Sequence, residues 1–132
     1  MNIVDASGWI EFFLAGPNGP KFKSVIENTD ELLVTSINLY EVHRVLSRKL
    51  PDDLRDTCLN LMRRSPVIDF TDALAISAAE ISLKHQLAMA DAAMYAMALA
   101  HQATLWTQDA DYQGLAGVEY VPASLLRPAA SQ

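Results

Sequence analysis

The sequence predicts an α/β domain with a mostly parallel sheet. Short apolar runs suited to buried strands recur at 3–4, 31–35, 66–70, 103–107 and 118–121. The segments between them carry apolar residues at helical spacing. Strands that alternate with helices favour a parallel sheet joined by right-handed crossovers. A length of 132 residues suits one domain, and 51% hydrophobic against 20% charged residues is enough to fill a core. The domain is expected over 1–126, with 127–132 as a disordered tail.

Ile3 and Val4 read as the first strand, closed by Asp5. Residues 9–14 read as a short helix, and 16–20 as a Gly/Pro loop. That loop lacks the spacing and the Gly-Lys-Ser/Thr ending of a phosphate-binding P-loop. Phe22, Val25 and Ile26 give the next helix its period, and Leu32, Leu33 and Val34 make the second strand. Ser36 is expected to cap a helix whose apolar stripe holds Ile37, Val42, Val45 and Leu46, with Glu41 on or beside it. Pro51 is expected to open a helix over 52–64, with Leu54, Cys58, Leu61 and Met62 inside. Its acids lie early and Arg63 and Arg64 late, as the helix dipole prefers. After the third strand, Thr71 or Asp72 caps a helix that ends near His85, and an Ala-rich helix follows over 91–101. The fourth strand leads into a turn at 108–112. The fifth precedes a helical turn begun by Pro122 with Leu125 and Leu126.

Cys58 is the only cysteine, so one chain forms no disulfide and a reducing cytoplasm is the expected home. Asp5 interrupts any apolar leader. The weakly charged run 87–108 contains Asp91, His101 and several polar residues, and reads as a buried helix plus a strand. A net charge of −6 argues against coating nucleic acid by bulk attraction. The bases are unevenly spread: of ten, Arg44, Arg48, Lys49, Arg55, Arg63 and Arg64 fall in one stretch.

Four acids have no ready surface explanation: Asp5 and Asp109 follow strands one and four, Glu41 interrupts an apolar helix face, and Asp91 is the one formal charge over 85–108. Each has a plain alternative, as a cap, a turn former or a helix-edge charge. Taken together, they would converge if strands one and four were neighbours, because ligands of open α/β sheets sit beyond such strand ends. Two unit charges ~4 Å apart repel by about 4 kcal/mol at an effective dielectric near 20. A hard divalent cation removes that repulsion, and oxygen ligands favour Mg²⁺ or Mn²⁺. His43, His85, His101 and Cys58 are too scattered for a zinc site. Metals in an acidic crevice suit attack of water on a phosphodiester.

With these residues in view, the sequence resembles the PIN-domain ribonucleases, in particular the VapC-type toxins of bacterial toxin–antitoxin pairs. The matching runs are IVDASGW (3–9), TSINLYEV (35–42), DAAMYA (91–96) and TQDADY (107–112). They span almost the whole chain. The resemblance implies a three-layer fold with a sheet of order 3-2-1-4-5 and helices on both faces. It implies Mg²⁺- or Mn²⁺-dependent endonucleolytic cleavage of RNA, a homodimer and a small antitoxin partner. The family's metal-binding acids carry over onto Asp5, Glu41, Asp91 and Asp109, with Asp111 as an additional candidate. Its strand-four hydroxyl carries over onto Thr107, with Ser7 near the metal. Tyr112 stands where the family more often has Phe.

Other functions remain to be weighed. A phosphotransfer receiver domain wants a Lys after a late strand, and no Lys follows Lys84. A haloacid-dehalogenase-type phosphatase wants Asp-x-Asp after strand one, where Ser7 holds the second place. A metal-free interaction module on the same scaffold stays open. RNA is expected to approach along Arg44, Arg48 and Arg55. Trp9, Phe12, Phe13 and Phe22 form either core or a groove for an antitoxin helix.

Overall fold

A computed structural model describes residues 1–123. The elements are β1 (Asn2–Val4), α1 (Ala6–Phe13), α2 (Gly19–Glu27), β2 (Leu32–Thr35), α3 (Ser36–Lys49), α4 (Asp52–Met62), β3 (Val67–Ile68), α5 (Asp72–His85), α6 (Met89–Ala100), β4 (Thr104–Thr107) and β5 (Val118–Tyr120). Short 3-10 turns at Thr29–Glu31 and Ala110–Tyr112 complete the set. The expected tail and the helical turn at Leu125 and Leu126 lie outside the described residues. No helix of the described residues is long and apolar enough to cross a membrane.

All four strand pairings are parallel, and the sheet order is β3-β2-β1-β4-β5, as the resemblance implied. The chain runs from β1 outward to β3, then returns to the other side of β1 for β4 and β5. The order therefore reverses between β1 and β4, and the crevice beyond their carboxyl ends is the expected ligand position. The register pairs Val4 with Trp106, which sets Asp5 beside Thr107.

Alternation along each strand divides the core in two. Ile3 and Leu105 point to the face covered by α5 and α6, where Ala92, Ala93, Met94, Tyr95, Ala96 and Ala98 pack. Val4, Leu32 and Val34 meet Trp9, Phe22, Val42, Leu46 and Met62 on the other. Truncating Leu105, which is fully buried, to Ala would cost roughly 2–5 kcal/mol. The close approach of α1 to β1 depends on Gly8, where a Cβ would collide with Val4 and the Phe22 ring.

Several elements differ from the sequence reading in instructive ways. The cap of α3 is Thr35, whose hydroxyl accepts from Asn38 N–H at 2.9 Å. Ser36 is instead the first helical residue, and its hydroxyl accepts from Phe70 N–H at 3.1 Å, tying α3 to the segment after β3. Helix α4 stops at Met62, so Arg63 and Arg64 lie past its last turn. Leu54 is exposed, as are Ile76 and Leu83 on α5, because each helix packs along one narrow face only. Trp9 and Phe22 are buried, and Phe12 and Phe13 are half-buried against the same core. Trp9 and Phe22 thus serve the interior, while Phe12 and Phe13 keep part of their surface open.

Candidate active site

Asp5 stands at the end of β1 and caps α1. Its Oδ1 accepts from Ser7 Oγ at 2.6 Å and from Gly8 N–H at 3.2 Å. Its Oδ2 accepts from Thr107 Oγ1 at 2.8 Å. The hydroxyl of Thr107 in turn accepts from Asp109 N–H at 2.9 Å. Asp5, expected either as a cap or as a site residue, is thus a cap, and its carboxylate is held across the two central strands. Ser7 also accepts from Gln108 N–H at 3.2 Å, which ties the start of α1 to the chain leaving β4.

Glu41 lies one turn into α3, whose start is fixed by a residue that the sequence reading missed. Asn38 is fully buried. It accepts from Thr35 N–H at 3.0 Å and donates to the carbonyl of Val4 at 3.1 Å. Its position among Ile37, Leu39 and Val42 offered the signal, a polar residue on the buried stripe.

Asp91 lies in the first turn of α6, where the helix dipole favours an anion. The phenol of Tyr112 donates to Asp91 Oδ1 at 3.3 Å and to its carbonyl at 3.0 Å. Tyr112 is buried, so its hydroxyl is a fixed guide for this acid. Asp109 caps the 3-10 turn by accepting from Asp111 N–H at 2.9 Å. That turn swings Asp111 round as well: one carboxylate oxygen each from Asp91, Asp109 and Asp111 lie within 4.8 Å of one another.

Electrostatics ties the remaining acids to this group. Burial pushes the Asp5 carboxyl from its ordinary 3.8 up to about 6, against the pull of its three hydrogen bonds, and the charge of Asp109 adds to the rise. Burial, then the charges of Asp5, Asp91 and Asp109, raise Glu41 from 4.5 to about 7. Burial, with Asp109 and Asp111, also raises Asp91, while the Tyr112 hydrogen bond opposes it. Burial and the surrounding acids push the Tyr112 phenol upward.

Among the described residues, ion pairs form at Met1–Glu31, Arg55–Asp52 and Arg55–Asp56 only, so none of these five acids has a basic partner there. Clustered carboxylate oxygens with no basic partner among the described residues fit a hard divalent cation. Nitrogen and sulfur ligands of a zinc type do not enter the group.

The basic residues divide. Arg44 and Arg48 line an open groove of about 1230 Å³ between α3, α4 and β3, together with Arg63. Arg55 does not extend that surface. Its guanidinium is spent on Asp52, Asp56 and Ser47, at 3.0, 3.0 and 3.2 Å.

Comparison with known proteins agrees with this architecture. A family model described as PIN domain matches residues 3–118. The fold is similar to a toxin–antitoxin complex from Klebsiella pneumoniae, at 19% identity and a TM-score of 0.76, covering 90% of this chain and 96% of that one. It is similar to VapBC2 from Rickettsia felis, solved on a DNA fragment from its promoter, at 15% identity and a TM-score of 0.73, covering 93% and 98%. A third likeness is to Mycobacterium tuberculosis VapC20, a Sarcin-Ricin loop cleaving toxin, at 18% identity and a TM-score of 0.72, covering 88% and 95%. At these identities the likeness speaks to the fold. No curated protein matches the chain by sequence.

Proposed function

The chain belongs to the PIN-domain family, and from that premise we propose that it is a Mg²⁺- or Mn²⁺-dependent endoribonuclease, the toxin of a bacterial toxin–antitoxin pair. The observation that carries this reading is the cluster of Asp91, Asp109 and Asp111, whose carboxylate oxygens lie within 4.8 Å of one another, with Asp5 and Glu41 near enough to feel charges of this group and no basic partner among the described residues.

In this reading those acids hold the cation. When bound, it supplies Lewis-acid stabilisation of phosphate charge and acidifies a bound water. The chain's own residues prepare the site. Thr107 and Ser7 fix both oxygens of Asp5, and Tyr112 fixes Asp91. Glu41 is only half-buried, so its carboxyl reaches toward solvent from the α3 side. The substrate needs positive charge that a chain of net −6 lacks in bulk. Arg44 and Arg48 supply it locally, on the helix that also carries Glu41. A small antitoxin as partner, a homodimer and a cytoplasmic setting complete the proposal. The toxin–antitoxin complexes among the solved relatives support the partner.

The test is cleavage of a cellular RNA pool with Mg²⁺, with Mn²⁺ and with EDTA, followed by mapping of the ends. The parent should cut only with metal, and a folded Asp91→Asn variant should not cut. Unchanged cleavage by Asp91→Asn overturns the assignment of the site. A folded parent that neither cuts RNA nor binds either metal leaves the interaction-module reading in its place.

A further inference from the structure

Glu11 is a buried carboxylate that the proposed reaction does not use. It lies on α1. Its Oε2 accepts from Asn18 N–H at 2.8 Å, and its Oε1 accepts from the Gln108 side-chain amide at 3.4 Å. The Gln108 carbonyl oxygen accepts from Asn18 Nδ2 at 3.0 Å, and the same Nδ2 donates to the carbonyl of Pro122 at 2.9 Å. Gly16 leaves room for this arrangement, since a Cβ there would collide with the Glu11 carboxylate.

The polarity of this ring is dictated by its two backbone ends. The Pro122 carbonyl only accepts, so Asn18 must turn its amide nitrogen toward it. Asn18 thereby presents a donor to Gln108, which must answer with its oxygen. Gln108 is left presenting its nitrogen to position 11. Asn18 N–H, the other fixed end, also donates to position 11. Both oxygens at position 11 must therefore accept. A carboxylate does this and a carboxamide cannot, whichever way the amides are turned.

The ring grips Gln108 by its side chain, while Ser7 grips its backbone N–H. Gln108 is the one residue between Thr107, which bonds Asp5, and Asp109. We infer that Glu11 is a positioning residue: through Asn18 and Gln108 it fixes the path of the chain from β4 into Asp109, and so the placement of Asp109 against Asp5 and Asp91. This rests on the metal-dependent reading of the acidic group.

The experiment compares the parent with Glu11→Gln and with the double exchange Glu11→Gln/Gln108→Glu. The single change forces two amide nitrogens together. The double change restores every hydrogen bond of the ring, with the carboxylate now at position 108 accepting from Asn18 and from the new amide at 11. Three quantities are read: hydrogen exchange at Asp109 N–H, the Kd for Mn²⁺ alone, and kcat and KM for RNA cleavage. Glu11→Gln should lose exchange protection at Asp109. Its Mn²⁺ affinity and kcat should fall about tenfold to a hundredfold, the range for residues that orient metal ligands, with KM little changed. The double exchange should recover all three. Parent-like protection and Mn²⁺ affinity in Glu11→Gln would overturn the inference, as would a folded double exchange that stays defective. If the parent itself ignores Mn²⁺ and RNA, the functional reading fails, and Asp109 exchange still decides whether the ring holds this segment.

Discussion

Thr107 donates its hydroxyl to Oδ2 of Asp5 across the junction of the two central strands, and the Thr107 Oγ1 itself accepts from the N–H of Asp109. One fully buried hydroxyl thus orients two of the acids. Thr107→Val keeps the shape and removes the link. It should destabilise the fold by about 1–3 kcal/mol, because a buried acceptor and a buried donor lose their partner. The Asp5 carboxyl should rise above its present value of about 6, since the Thr107 hydrogen bond lowers it. The acid limb of the activity profile should move to higher pH. Denaturant titration and a pH–rate profile check both effects, with Thr107→Ser expected to restore them.

Stability should fall as pH rises when metal is withheld. Asp5 and Glu41 ionise near 3.8 and 4.5 when unfolded, but at about 6 and about 7 in the folded chain. Between about pH 4 and pH 7 the folded state therefore holds more protons, and stability declines with increasing pH. Asp5 alone contributes a decline of about 3 kcal/mol, while solvent screening reduces the share of half-exposed Glu41. A cation reverses the trend by binding the ionised acids. At a hundredfold excess over Kd it adds about 2.7 kcal/mol. Melting curves from pH 4 to 8 in EDTA should slope downward, and those in Mg²⁺ should flatten or rise. Two parallel sets of curves would refute the prediction.

Tyr112→Phe removes one hydroxyl and leaves the ring in the core. The Asp91 carboxyl loses its donor and should rise further. The variant should melt slightly earlier, with a loss of about 1 kcal/mol, and should bind Mn²⁺ more weakly at pH 6 than at pH 8, relative to the parent. Calorimetric titration at both pH values is the measurement.

Arg44→Ala/Arg48→Ala should weaken RNA binding and lower the magnitude of the salt slope by about 0.7 for each single-strand phosphate no longer neutralised. Arg55→Ala should leave affinity and slope near the parent, because its guanidinium is committed to Asp52, Asp56 and Ser47. Filter binding at several salt concentrations, on the Asp91→Asn background, separates the two. Equal slopes for parent and double variant would send RNA by another route.

The strands, the helices and the meeting of Asp5 with Asp109 were legible because strand ends announce themselves. An acid directly after an apolar run needs no tertiary knowledge to be noticed. Asn38, Glu11 and Tyr112 were less legible as supports, because each acts through partners far along the chain. The bond from Asn38 to Val4 spans 34 positions, and that from Glu11 to Gln108 spans 97. Exposure was misjudged at Leu54 on α4 for a related reason. Leu54 fits a helical period, but nothing in the period says how much of a helix its neighbours cover. The choice of Thr35 over Ser36 as cap turned on a distant donor, Phe70 N–H, which claimed the serine.

The partners in the Asp5–Thr107 bond stand 102 positions apart. During synthesis, Asp5 leaves the ribosome well before Thr107, and β1 then waits for β4. N-terminal parts of a chain emerge and begin to fold first, at roughly 5–20 residues per second. At that pace Asp5 lacks its Thr107 partner, and the crevice lacks Asp109, for several seconds. The newborn chain passes through the company of ribosomal and messenger RNA with its acids still apart, and the crevice closes only after β4 and Asp109 have emerged.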